Sequence, residues 1–340
     1  MSSVVLTGIT VIVPTYNEAD FIEDCLSSMM DDLVTEVLVV DGGSSDGTRE
    51  IVKGLTVRYP SLRLLDNPRR TTASAMNIGL ETATGDVIVR LDAHSLYPPG
   101  YIARLTGVLQ EHEADVTGGV WDAVPRKASV FGRAVAASLV NKWVMGNAGF
   151  RVGGGEVRAV DTVPFGCWRA DTLRRAGGYN EDLARSQDYD LVQRLRSMGA
   201  KILLVPDVTI KYKARSGVWE NVKYTFWNGY WVGHPVAAWG VKFSTRHLVP
   251  AGACLAGAAL LGVCAVLASP WPLMLASPYG IVLLAAAVEA RDRPAPVVAL
   301  MPLVAAGTHV LYGLGTLWGL VKGVLARVAA GRAGTAAAKR

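Results

Sequence analysis

Two stretches of this chain carry no aspartate, glutamate, lysine or arginine: 41 residues from Leu248 to Val288 and 28 from Pro294 to Val321, separated by Glu289, Arg291, Asp292 and Arg293. No other feature limits the fold so strongly. A helix of about 20 apolar residues crosses the ~30 Å hydrocarbon core of a bilayer, so the first stretch has room for two short spans and the second for one. Ser269-Pro270-Trp271-Pro272 marks the break between the first two, because prolines cannot continue a helix. The expectation is a membrane module at 248–328, preceded by an amphipathic interface segment at 216–247 and followed by a basic tail at 329–340.

Charge suggests which side of the membrane the ends occupy. Met1 to Thr10 has neither a basic start nor a long apolar run, so no signal peptide is expected and the N-terminal part should stay in the cytoplasm. Lys242 and Arg246 before the first span agree with that side, and so does a tail holding Lys322, Arg327, Arg332, Lys339 and Arg340. Three full crossings would put that tail outside, so the charge pattern asks for one segment that is re-entrant or lies in the interface. The net charge of +5 sits mostly at these flanks, which suits a membrane surface and not nucleic acid. Four cysteines, at 25, 167, 254 and 264, have no paired spacing and suggest neither a zinc site nor a disulfide framework.

Residues 1–215 are long enough for a core of their own. Short β-branched runs at 9–14, 36–41 and 86–92 alternate with helical spacings at 18–30 and 72–82. Strand, helix, strand, helix, strand implies an α/β fold with a Rossmann-like, mostly parallel sheet and right-handed crossovers. Such sheets bind ligands at the carboxyl ends of their strands. Three polar clusters lie at those ends: Pro14-Thr15-Tyr16-Asn17-Glu18, then Asp41 to Thr48 with Gly42, Gly43 and Gly47, and finally Asp92-Ala93-His94. They are expected to converge on one cleft.

Each cluster has a chemical reading and a plain one. Asp41 ends a buried strand before glycines that permit close backbone approach, and with Ser44 and Asp46 it offers partners for a base edge or ribose; a strand end with a helix cap uses the same residues. Asp92 and His94, two apart, face the same way in extended chain and suit a divalent ion such as Mn²⁺ or Mg²⁺; a solvated Asp beside a capping His is the alternative. Asp188 opens a helix whose buried face is Leu191, Leu195 and Met198, placing it either as a general base or as a cap. Arg69-Arg70 can meet phosphate or solvent. Gly153-Gly154-Gly155 reads as a mobile loop. Trp219, Val222, Phe226, Trp227, Tyr230 and Trp231 follow helical spacing, as a core stripe or as a helix lying in the membrane interface.

In this order the clusters resemble the inverting glycosyltransferase family 2, whose nucleotide-sugar-binding fold is of the A type. The resemblance runs over residues 11–29, 36–52, 73–94 and 165–202, with FWNGYWVGHP at 226–235 and HLVP at 247–250, and the Asp-x-His form is most similar to succinoglycan-type exopolysaccharide glucosyltransferases. It implies that Pro14, Thr15, Asn17 and Glu18 line a uridine pocket, that Asp41 reads the base, that Ser44 and Asp46 complete that wall, and that Asn77 lies near the donor. Asp92 becomes the metal and diphosphate residue, with His94 where many relatives have a second Asp. Asp188 becomes the base, with Gln187 replacing the preceding Glu. No Gln-x-x-Arg-Trp sequence occurs, which favours transfer of a single sugar. The implied reaction takes a UDP-sugar, UDP-glucose foremost, to a lipid-linked saccharide at the cytoplasmic face of the cell membrane; transfer to polyprenyl phosphate is the rival, and a scaffold that kept the fold without activity is a third reading.

Overall fold

The computed structural model describes residues 8–30, 33–146, 148–163 and 165–337, without the side chains of residues 152 and 331–337. Met1 to Thr7, the bulk of the segment judged for a signal peptide, and Lys339 and Arg340 of the basic tail lie outside the described residues. The chain forms two compact units that interleave in sequence: residues 1–122 with 148–213, and 123–147 with 214–340.

The first unit is an α/β sheet. Its strands are β1 (Ile9–Thr15), β2 (Glu36–Asp41), β3 (Leu62–Asp66), β4 (Val87–Arg90), β5 (Ser95–Leu96), β6 (Val116–Pro125), β7 (Arg158–Ala159), β8 (Cys167–Arg169) and β9 (Ile202–Ala214), the last residues of β6 and β9 passing into the second unit. Helices α1 (Ile22–Met29), α2 (Thr48–Arg58), α3 (Thr72–Thr82) and α4 (Tyr101–Glu111) connect the early strands. The sheet order is β3-β2-β1-β4-β8-β6-β9-β5, with β7 on β9. Strands β3, β2, β1 and β4 run parallel, as the sequence pattern expects, whereas β4–β8, β6–β8, β5–β9 and β7–β9 are antiparallel. The sequence pattern passes over α2 and β3, so Asp92 follows the fourth strand of the sheet instead of the third. Strand β3 is a half-exposed edge: of its five residues only Leu62 is buried, while Arg63 turns to a salt bridge with Glu36.

The middle strands β1, β2 and β4 are buried almost throughout, and their β-branched residues pack between helices on both faces. Gly79 in α3 sits directly over Ile12, where a Cβ would come within 2.6 Å of the Ile12 side chain. That approach brings α3 onto β1. The chain reverses side between β1 and β4, and open α/β sheets bind their ligands beyond the strand ends at such a switch point.

The second unit is helical: α5 (Val130–Leu139) precedes α6 (Gln187–Ser197) in the chain, α6 itself belonging to the first unit, and α7 (Val218–Trp239), α8 (Val249–Leu267), α9 (Ser277–Glu289) and α10 (Ala295–Ala337) complete it. Three segments are long and apolar enough to cross a membrane: Val249–Leu267, Trp271–Glu289 and Ala295–Ala330. The break falls at the expected prolines, with α8 ending at Leu267 and a 3₁₀ turn at Trp271–Ala276 leading into α9. Leu255, Leu261, Val266 and Leu284 are among the many large apolar side chains left exposed on α8 and α9, as lipid-facing helices require.

A cut at residue 215 leaves 123–147 with the catalytic part, but these residues group with the helices. Ala134, Val135, Ala137 and Val144 share a core with Ala286, Ala287, Val297, Met301 and Val304. His309 of α10 joins them, its Nε2 3.1 Å from the carbonyl of Val144 and its Nδ1 3.0 Å from the Tyr279 hydroxyl. Helix α7 lies along α10 on glycines, with Gly229 and Gly233 facing Gly315, Gly319 and Gly323; a Cβ at any of the five would meet a backbone oxygen at 2.0–2.5 Å. The contact is made by small residues and by the backbone of Phe226 and Tyr230, while Trp219 and Trp227 of the aromatic stripe, and Trp239 beyond it, are exposed.

Candidate active site

The β1 and β2 strand ends are stitched into one wall. Asn17 adopts the left-handed region at φ 54°, which suits Asn in a tight turn. Its N–H donates to Ser44 Oγ at 2.8 Å, and its Oδ1 accepts from the Ser45 N–H at 2.9 Å. The Glu18 N–H donates to Thr48 Oγ1 at 2.9 Å and the Ala19 N–H to Asp46 Oδ2 at 3.1 Å. Asp46 also accepts from the Thr48 N–H, so it closes the start of α2 and clamps the first loop at once.

Asp41 is the centre of the second loop. Oδ1 accepts from the N–H groups of Gly43 and Ser44 at 2.9 and 3.0 Å and from Arg49 Nη1 at 2.8 Å, while Oδ2 accepts from the Ser44 hydroxyl. Burial pushes the Asp41 carboxyl up, but these bonds outweigh it and hold it below the usual carboxylate range. The carboxylate is held by its own loop and by Arg49 of α2. Arg70, also at positive φ, packs against Gly42 and Gly43 beside this loop, whereas Arg69 is drawn off to Glu181.

Asp92 and His94 do not lie in extended chain. The chain turns after β4, the Ser95 N–H donating to the Asp92 carbonyl at 3.0 Å, so two-residue alternation does not set their directions. Hydrogen-bond partners do, near in sequence for Asp92 and distant for His94. Asp92 Oδ1 accepts from Arg90, and the Asp92 N–H donates to the Tyr97 hydroxyl at 2.8 Å. His94 Nδ1 lies 3.1 Å from Glu18 Oε1, which ties the third cluster to the first and brings all three together as expected. The same imidazole meets Tyr212 edge-on, and Tyr212 stacks on Trp121 at 4.5 Å between centroids.

Among the described residues, no three His, Cys, Asp or Glu side chains are grouped to hold a metal. A divalent ion placed at Asp92 and His94 would have two protein donors there and would need oxygens from a ligand and water, the mode in which Mg²⁺ and Mn²⁺ bind with diphosphates. The donor chemistry fits. A His Nδ1–H given to Glu18 leaves the Nε2 lone pair for a metal, the usual carboxylate–histidine support.

Helix α6 brings in Asp188 in its first turn, after Ser186 at φ 62°. Burial pushes the Asp188 carboxyl up, Arg90 draws it down and Asp92 pushes it up again; the net direction is upward. Its Oδ1 is ion-paired with Arg90 Nη1. Asn77 is fully occupied: Oδ1 accepts from the Tyr179 N–H, and Nδ2 donates to the Tyr179 carbonyl and to Glu181 Oε1, fixing α3 to the segment that leads into α6. The sequence pattern passed over Arg90, although a charged residue ending the apolar run Val87-Ile88-Val89 was a visible signal. It also passed over Tyr97, and over Trp121 and Tyr212, whose stacking spans too much chain to be read locally.

The model of the family described as Glycosyl transferase family 2 matches residues 10–159. The succinoglycan biosynthesis protein ExoA of Rhizobium meliloti is 31% identical over 227 residues, 64% of this chain and 67% of that protein. A dolichyl N-acetyl-α-D-glucosaminyl phosphate glucuronosyltransferase of Methanococcus voltae, specific by its name for a diacetamido-dideoxy sugar, is 23% identical over 64% of this chain and 70% of its own. Among solved structures, a mannosyltransferase from Pyrobaculum calidifontis in complex with GDP-Man and Mn²⁺ superposes with a TM-score of 0.63 at 22% identity, covering 91% of this chain and 87% of that one. TarS of S. aureus in complex with UDP-GlcNAc gives 0.52 at 16% identity, covering 92% of both chains. A parallel sheet with acidic strand ends, continued by an antiparallel half, defines a glycosyltransferase with the A-type nucleotide-sugar-binding fold. The chain belongs to glycosyl transferase family 2.

Proposed function

We propose that this enzyme transfers one sugar from a UDP-sugar, UDP-glucose foremost, to a lipid-linked saccharide, with inversion at the anomeric carbon, in the synthesis of a bacterial exopolysaccharide or other cell-surface glycan. The observation that supports the reading is the meeting of two carboxylates, Asp92 and Asp188, on the buried Arg90, as a donor-side carboxylate and a base at one centre would require.

In this mechanism Pro14, Thr15, Asn17 and Glu18 with Ser44 and Asp46 hold the uridine, and Asp41 shapes the loop that meets the base. Asp92 and His94 hold a divalent ion, Mn²⁺ or Mg²⁺, whose chemistry when bound is to offset charge on the departing diphosphate. Asp188 takes the proton of an acceptor hydroxyl, the hydroxyl oxygen bonds to the anomeric carbon from the opposite face, and the bond to the diphosphate breaks with its electron pair leaving on UDP. A raised proton affinity makes Asp188 a stronger base wherever the working pH exceeds it, and base catalysis of this kind contributes ~10²–10⁴ in rate. Asn77 holds the segment before α6, so its part is to seat the base's helix near the donor.

The apolar helices support a place in the cell membrane, and the basic flanks support a cytoplasmic catalytic unit. Exposed tryptophans on α7 suit the membrane interface. Transfer to polyprenyl phosphate remains the alternative acceptor chemistry. Membranes incubated with radiolabelled UDP-glucose and other UDP-sugars, with Mn²⁺ or chelator, should pass label into the lipid extract; no transfer from any donor would refute the reading. Digestion of labelled lipid then separates a monosaccharide phosphate from an extended glycan.

A further inference from the structure

Arg90 is a cation in a strand whose other residues, Val87, Ile88 and Val89, are wholly buried, and its own side chain is only 7% exposed. Burying a guanidinium is unfavourable unless every donor finds an acceptor. Here the acceptors are two carboxylates far apart in sequence. Nε and Nη2 both reach Asp92 Oδ1 at 3.0 Å, and Nη1 meets Asp188 Oδ1. The strand itself is pinned beside them, the Arg90 N–H donating to the Gly166 carbonyl at 3.0 Å.

We propose that Arg90 is a positioning residue that locks the donor-side carboxylate Asp92 and the base Asp188 into one fixed geometry. The proposal rests on the reading of Asp188 as the base. A guanidinium is planar and rigid, so its fork sets the angle and separation of the two carboxylates, which a lysine's single point charge cannot do. The cation also stands between two like charges that would otherwise turn away from each other. With Oδ1 of Asp188 held, Oδ2 is the oxygen turned to an acceptor hydroxyl. Arg90 makes no contact with substrate in this scheme; it acts through its two partners.

The experiment compares Arg90→Lys and Arg90→Met in the full chain, purified in detergent, by thermal melting and by initial rates of sugar transfer. An apolar residue in place of a buried ion-pair partner is the better filler, but it leaves two carboxylates without a cation, whereas lysine keeps the charge and loses the fork. The expected result is a rate lowered by about 10²-fold in Arg90→Met, the scale of an ångström of misplacement, and a partial rescue of about tenfold in Arg90→Lys. Activity then follows Arg > Lys > Met whatever the order of melting temperatures. If transfer rates merely track melting temperature, or if Arg90→Met transfers as fast as Arg90→Lys once folded, Arg90 only holds the strand and the proposal is overturned. Asp188→Asn measured alongside keeps the two readings apart: full transfer in that variant removes the base, while an inactive Asp188→Asn beside a fully active Arg90→Met removes the positioning role alone.

Discussion

Replacing Gly229 by alanine puts one methyl group into the tightest contact of the helical unit. The new Cβ would lie 2.0 Å from the Tyr312 carbonyl oxygen, 2.9 Å from its carbon and 3.0 Å from the Thr316 nitrogen. Unstrained carbon–oxygen contact needs more than 3 Å, so α7 and α10 must part by roughly 1 Å at this level, and a gap of that size forfeits about half of each dispersion contact along the seam. Gly233, Gly315, Gly319 and Gly323 depend on the same spacing, with Cβ approaches of 2.1, 2.0, 2.3 and 2.5 Å to backbone oxygens. Overpacking of this kind costs about 1–3 kcal/mol, and the upper half applies because the obstacle is backbone. Alanine regains about 1 kcal/mol of helix propensity, leaving a net loss of ~1–2 kcal/mol.

Gly262 in α8 makes the control, since nothing lies within 4 Å of its Cβ position and alanine there keeps the propensity gain alone. The two variants should therefore differ by ~2–3 kcal/mol with opposite signs. At about 2–4 °C per kcal/mol this becomes a separation of roughly 4–12 °C in apparent melting temperature, read in detergent by tryptophan fluorescence or by loss of the monodisperse peak. Equal melting temperatures for Gly229→Ala and Gly262→Ala, or a higher one for Gly229→Ala, would refute the close helix seam.

Further outcomes follow from the site. Asp92→Ala should lose the Mn²⁺ dependence of nucleotide-sugar binding measured by calorimetry, and unchanged dependence would move the ion elsewhere. Glu18→Gln keeps the hydrogen-bonding shape but removes the charge opposite His94, so it should weaken Mn²⁺ affinity by about 10–100-fold while leaving the fold intact; an unchanged Mn²⁺ titration would count against Glu18 as the support of a metal-bound His94. Asp41 is held below its ordinary range in the fold, so its ionised form contributes stability that is complete above the ordinary aspartate pKa and is lost as pH falls through the lower folded value. Asp41→Asn should flatten that acid limb of the stability curve, and an identical limb in wild type and variant would exclude Asp41 as its source.

Much of the architecture was legible locally. Absence of charge over 41 and 28 residues marks helices for a membrane because length and hydropathy are properties of contiguous chain. The prolines at 270 and 272 located their break for the same reason. β-branched runs gave β1, β2 and β4, and the spacing at 72–82 gave α3 with the bounds observed. The three strand-end clusters were each visible, and parallel topology alone predicted that they meet. Local signal failed where burial was shared with distant chain: β3 is an edge strand with one buried residue, and the aromatic spacing of α7 allowed a core stripe or an interfacial helix without revealing the glycine seam.

The sequence by itself determined that an α/β unit is followed by membrane-capable helices, since periodicity, turn chemistry and hydropathy act within a few residues of one another; the nucleotide-sugar type came from the family resemblance. Tertiary structure alone decided that residues 123–147 join the helices, that His94 takes its direction from Glu18, and that Asp188 comes to the Arg90 guanidinium across 98 positions of sequence. Those choices belong to long-range packing: a buried cation must find its carboxylates, and a glycine face its partner, wherever in the chain they occur.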